Sequence, residues 1–151
     1  MHSAEVTVRR GSTVLSRIGW FFLFAVPLAV MITAASLTPN PVGHGTHTQL
    51  GLPPCGFLVV TGLPCPGCGL TTSFTHMIRL EVVDAARANP FGVALFLVSF
   101  FTIPIAAMGF LRGLPVLETL DRFRFERVAV MLAGCSVIVW LIRIWVIASR
   151  T

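Results

Sequence analysis

Lysine and tyrosine are absent from the 151 residues, and there are only six acidic side chains. Charged residues of all kinds make up 11 % of the chain, against about 25 % in typical soluble domains. That is too little charge to coat a water-facing surface, so an ordinary soluble fold is excluded. With lysine missing, the net charge of +5 rests on arginine alone. A basic chain suggests nucleic acid only when its cations gather into one footprint. Here the arginines stand in small groups between apolar runs, the way membrane proteins place flanking charges, and no nucleic-acid partner is expected. Internal repeats and low-complexity tracts are also lacking.

Apolar length is abundant. Residues Ile18 to Ser36 carry no charge and are rich in Phe, Leu, Val and Ala. About 20 such residues cross a hydrocarbon core about 30 Å thick. Trp20 is expected near the lipid–water interface. A cleaved signal peptide is the competing reading, but the run is long for a signal core and a retained helix is favoured. Pro90 to Leu111 is a second uncharged run, opened by Asn89-Pro90 as cap and first turn. Pro104 inside it predicts a kink and not a break. Val128 to Ala148 is the third, interrupted by Arg143 close to its far end. That arginine reads as an anchor snorkelling to the headgroups, flanked by Trp140 and Trp145. The fold class is therefore an all-α integral membrane protein with three transmembrane helices (18–36, 90–111, 128–148) forming a single domain over 1–151.

Between the first two spans the chain changes character. Six prolines and seven glycines fall between Leu37 and Gly69, which prevents a long helix. Phe57-Leu58-Val59-Val60 is expected as a small strand. Residues 71–88 then have apolar positions at helical spacing (Phe74, Met77, Ile78, Val82) but are too polar to span. An interfacial amphipathic helix or helical pair fits, with Asp84 capping its second turn. Glu81 and Asp84 read as caps or surface charges.

Charge asymmetry suggests an orientation. Arg9, Arg10 and Arg17 precede the first span, and Arg112, Arg122, Arg124 and Arg127 fill the linker before the third. Arg79, Arg87, Arg143 and Arg150 fall on the other side. Seven against four puts the N-terminus and that linker in the cytoplasm. A multi-pass cell-membrane protein with an outward cysteine loop (51–69) follows, its partners being the lipid bilayer and a protein partner or further copies of itself.

Three of the four cysteines, Cys55, Cys65 and Cys68, share that loop, whereas Cys135 lies in the third span and is expected to be a small buried hydrophobe. The loop trio has three readings. One is a metal site: Cys65-Pro66-Gly67-Cys68 has the turn of a zinc knuckle, zinc takes four ligands, and His76, His44 and His47 are candidates to join the three sulfurs, His76 foremost. Another is thiol–disulfide chemistry by Cys65 and Cys68, although no thioredoxin-like pattern surrounds them. The third is a structural disulfide, which leaves one cysteine over. The balance favours a non-enzymatic component whose loop is clasped by a metal, zinc in class, or a disulfide; a thiol–disulfide oxidoreductase and a transporter subunit are the alternatives. Each histidine alone is a weak signal.

The stretch Cys55-Gly56-Phe57, then Thr61-Gly-Leu-Pro-Cys-Pro-Gly-Cys-Gly-Leu-Thr-Thr72, then Ala85 to Pro90, resembles a bacterial family of unknown function numbered 2752. The resemblance covers about Pro53 to Leu97 and implies a small multi-span membrane protein with a C-P-x-C-G-x-T core, an earlier cysteine and a later Asn-Pro. Carried over, that core is Cys55, Cys65, Cys68, Gly69, Thr71, Asn89 and Pro90. The chain departs from the family pattern at Thr72, where arginine is frequent, and at Leu80, where glycine is frequent.

Overall fold

The computed structural model describes residues 2–149 other than 123, with side chains from residue 14 onward. Arg150 and the side chains of Arg9 and Arg10, three of the cations used to orient the chain, lie outside the described residues. Seven α-helices occur among those described: α1 (His2–Ser36), α2 (Gly56–Thr61), α3 (Leu70–Ile78), α4 (Val82–Ala88), α5 (Pro90–Arg112), α6 (Val116–Arg122) and α7 (Phe125–Ala148). A 3-10 turn covers Thr46–Leu50. No strand is found among the described residues.

Three helices are long and apolar enough to cross a membrane: Val14–Ser36 of α1, α5 and α7. Each contains one of the expected spans. α1 and α5 continue through Pro27 and Pro104. The expected strand at Phe57–Val60 is instead the body of α2. Strand formation needs a neighbouring strand to take its amides, and none is present. A helix satisfies them locally: Val59 N–H donates to Cys55 O at 3.0 Å and Gly62 N–H to Leu58 O at 2.9 Å. Gly62, at φ +71°, then ends the helix, the left-handed conformation that glycine adopts without penalty.

The chain forms two compact units. The first comprises Met1–Val30 and Val98–Ala129. Its centre is Trp20, 2 % exposed, against Ala106 and Val116, with Leu23, Phe24 and Leu120 around them. The indole Nε1–H donates to Leu114 O at 2.8 Å. A Cβ on Gly109 would lie 2.5 Å from the ring, so the glycine leaves a notch that the indole fills. Trp20 is thus a buried packing residue. Its polar tip finds an acceptor inside the fold, as a buried indole requires.

The second unit comprises Met31–Leu97 and Val130–Thr151 and has a polar centre. Asn89, Thr46, Thr72, Ser73 and Thr75 are all fully buried. α3 and α4 are the expected helical pair. They are joined at Leu80, whose φ of +63° is left-handed; this is the position where the resembling family favours glycine. Arg79 closes the C-terminal ends of two helices, donating to Thr75 O of α3 and to Leu37 O just beyond α1, both at 2.7 Å. Phe74 packs edge-on against Phe96 at 5.4 Å. Cys135 of α7 is exposed, not buried as expected, because none of the residues of α7 is buried.

Candidate metal centre

The site grows from a tight turn. Cys68 N–H donates to Cys65 O at 3.0 Å and Leu70 N–H to Gly67 O at 3.1 Å, so Cys65-Pro66-Gly67-Cys68 folds back directly before α3. Gly69 lets the chain turn into that helix. Its φ is +86°, and a Cβ there would lie 2.5 Å from Ala88 O and 2.7 Å from Gly43 O. Both neighbours are backbone atoms, which cannot rotate away. Cys55 ends the preceding loop as the residue before α2.

These turns bring Cys55, Cys65 and Cys68 together, their three sulfurs within 4.8 Å of one another. The Cys65 thiol donates to the Cys68 sulfur at 3.3 Å. Three sulfurs each about 2.3 Å from a zinc ion would sit about 3.8 to 4.0 Å apart. The triangle therefore meets the size of a metal-bound thiolate set with shifts of well under an ångström at its short edge. Among the described residues no other group of His, Cys, Asp and Glu is so gathered.

The three thiols sit in different surroundings. Cys68 is buried, while Cys55 and Cys65 are half-buried. The Leu58 amide in the first turn of α2, and then the neighbouring Cys65 and Cys68 thiols, hold the Cys55 thiol down at about 7. Burial pushes the Cys68 thiol up, since a thiolate loses its hydration there.

Asn89, just before α5, and Arg143, in α7, both hold the Cys68 backbone. Asn89 uses its whole amide. Oδ1 accepts from the Phe91 and Gly92 amides at 3.0 and 3.3 Å, capping α5 as the Asn-Pro pair predicts. Nδ2 donates to Cys68 O at 3.1 Å and to Pro66 O at 3.4 Å. Arg143 Nη1 donates to the same Cys68 oxygen at 2.8 Å, and one turn earlier Trp140 Nε1 donates to Pro64 O at 2.8 Å. The snorkelling assignment for Arg143 is therefore corrected: its guanidinium reaches the cysteine turn, where the Cys68 carbonyl accepts from it. Trp140 also meets Phe57 of α2 edge-on at 6.3 Å.

A cavity of about 450 Å³ opens beside the sulfurs, lined by all three cysteines together with His44, His47 and Thr71. His47 Nε2 lies 3.1 Å from Pro53 O. His76 is placed elsewhere: its Nδ1 is 2.6 Å from Glu81 Oε2, and it does not line this cavity. Asp84 pairs with Arg87 at the exposed surface.

With this geometry in view, the comparison with known families is specific. Residues 55–103 match the family described as protein of unknown function (DUF2752). No curated protein and no solved structure matches the chain. The DUF2752 stretch contains the three cysteines, Gly69, Thr71 and the Asn89-Pro90 cap. Arg143, Trp140, His44 and His47 lie outside it. Thr72, where the family pattern favours arginine, is fully buried and bonds Thr46 Oγ1 at 2.8 Å. Arg143 and the second role of Asn89 are what sequence reasoning missed. The available signal for the arginine was its presence in an apolar run, which marks such a residue for function.

Proposed function

We propose that this chain is a non-enzymatic multi-pass protein of the cell membrane whose Cys55, Cys65 and Cys68 bind a thiophilic divalent ion, zinc in class, and so lock the loop between the first two spans. The observation that carries this reading is the sulfur triangle, with every edge within 4.8 Å. A dication with three thiolates keeps one negative charge, and the Arg143 guanidinium beside the Cys68 carbonyl offsets it. Ligand-supporting contacts of this kind orient a site and tune its affinity; Asn89 and Arg143 fill that role. The loop faces outward and the N-terminus lies in the cytoplasm, following the arginine asymmetry. α7 buries no residue, which suits a helix surrounded by lipid, a partner protein or a further copy of the chain. Metal analysis of the full chain purified in detergent tests the proposal. About one zinc per chain is expected, lost in Cys65→Ser; wild-type protein free of stoichiometric metal would sink it. Reporter fusions within 112–127 and after Ser149 test the orientation, which a cytoplasmic C-terminus overturns.

One contact favours a second reading. The 3.3 Å between the Cys65 and Cys68 sulfurs contracts to a disulfide of about 2.05 Å with small side-chain rotations. A membrane thiol–disulfide oxidoreductase would use this pair, which loses two electrons and two protons while a disulfide in a partner protein gains them and becomes two thiols. Thiol trapping in cells decides. A redox enzyme shows a Cys65–Cys68 state that follows the supply of oxidant, and an invariant state ends this reading.

A further inference from the structure

We propose that His44 is the fourth ligand of the cysteine triad, making a closed Cys₃His centre for a divalent ion of the zinc class. This rests on the metal reading above and adds the identity of the remaining ligand.

Three independent observations converge on His44. The first is position: His44 lines the same cavity as Cys55, Cys65 and Cys68, beside the triangle of sulfurs and not within its 4.8 Å span. The second is commitment. His76 is engaged by Glu81 away from the cavity. His47 lines the cavity and holds Pro53 O through Nε2, a contact a metal-bound histidine can keep while its other nitrogen coordinates. The choice between His44 and His47 therefore rests on the turn around His44. The His44 ring has no hydrogen-bond or ion-pair partner among the described residues, although it is half-buried. An imidazole held at the edge of a thiol cluster without a partner is available to a metal.

The third observation is how firmly its turn is fixed. Gly43 and Gly45 flank His44 at φ +83° and +84°, which turns the backbone sharply on both sides of the ring. Gly43 N–H donates to Asn40 O at 2.9 Å. Thr46 Oγ1 accepts from Asn40 N–H at 3.1 Å and bonds Thr72 Oγ1 of α3 at 2.8 Å. Gly43 O packs against Gly69, the residue after Cys68. The histidine turn and the cysteine turn are thus assembled on each other through buried contacts, although they are distant in sequence. A ligand on a turn fixed in this way loses little freedom when it coordinates.

The donor set determines the kind of ion. Three thiolates and one neutral imidazole match tetrahedral zinc, and four protein ligands make a structural centre without an open position. Water activation is not expected of it.

The test uses the full chain in detergent micelles, with zinc or cobalt(II) added as the probe. X-ray absorption at the zinc edge is expected to show three sulfurs at about 2.3 Å and one nitrogen at about 2.0 Å. His44→Ala should remove the nitrogen and weaken zinc by more than about 100-fold, beyond the 10–100-fold usual for a supporting contact. His44→Cys should restore tight binding with a four-sulfur shell, which separates ligand loss from misfolding. His76→Ala should leave both the affinity and the shell unchanged. If wild type and His44→Ala bind zinc equally, or if His76→Ala is the variant that loses the nitrogen, the His44 assignment is overturned while the triad stands. If wild type binds neither ion, the triad reading itself fails.

Discussion

The first unit closes around the Trp20 indole and the second around the Asn89 amide, and the two side chains do different work. Trp20 fills a notch left by Gly109 and makes one hydrogen bond, to Leu114 O; shape fixes its place. Asn89 makes bonds to four backbone groups: two amides that open α5 and two carbonyls of the cysteine turn. Apolar contact alone discriminates poorly between partners where the surroundings are as apolar as the side chains. A fully satisfied polar network specifies one arrangement, and the three thiols are built on that kind of centre. The comparison suggests that shape holds the spans of the first unit and hydrogen bonding aims the chemistry of the second.

The most damaging change expected in either unit is Gly69→Ala. A Cβ would meet two backbone oxygens at a left-handed residue, where the conformational penalty alone is about 1–2 kcal/mol. Unfolding in detergent should show a loss above about 2 kcal/mol, together with lost metal binding. Next comes a direct contest between the two centres. Asn89→Ala removes a cap, about 1 kcal/mol, and takes one of two donors from the buried Cys68 carbonyl, about 1 kcal/mol more. Trp20→Phe loses one hydrogen bond, about 1 kcal/mol, and opens part of the notch the indole fills, about 1 kcal/mol or more on top. Asn89→Ala should also lose metal binding while Trp20→Phe keeps it; if Trp20→Phe loses it too, the contrast between the units collapses.

Arg143→Gln should weaken zinc by about 10-fold or more, with Arg143→Lys recovering part of it through charge. Equal affinity in all three proteins would remove the guanidinium from the site. The thiols themselves give a pH readout in metal-free protein. Cys55, held at about 7 against an ordinary 9.0, should be alkylated with a rate that rises as pH passes through about 7. Cys68, pushed the opposite way by burial, should stay unreactive across that range. Mass spectrometry of timed samples separates the two, and equal profiles would contradict the environments described. The smallest effect is expected at Leu80→Gly. Relieving a left-handed leucine that is 85 % exposed should stabilise the protein by about 0.5–1 kcal/mol, seen as a modest rise in Tm.

Much of the architecture was legible because it depends on runs. Nineteen or more uncharged residues mark the first two spans whatever their neighbours do, the third run is broken only by Arg143, and Asn89-Pro90 opens a helix by local chemistry alone. Phe57–Val60 misled because its β-branched and aromatic residues favour strands on average, while the backbone in place satisfies itself only as a helix. The cysteine cluster was half legible. The Cys65–Cys68 spacing announces a turn and the shared loop offers Cys55 as its partner, but no local pattern fixes how close Cys55 comes to the pair. Nor does the sequence say which histidine is free; that depends on Glu81 engaging His76 and on Thr46 tying the His44 turn to α3. The reach of Arg143 to a carbonyl 75 residues away lies beyond any local pattern.

The Cys68 carbonyl, with its two donors, also has a chronology. Synthesis delivers the thiols first, then Asn89 twenty-one residues after Cys68, and Arg143 seventy-five residues after it. A growing chain therefore holds three cysteines in a turn already bracketed by an amide while still lacking their cation. Insertion of α7 is the event that brings the arginine to the turn, so maturation of the site waits for that helix.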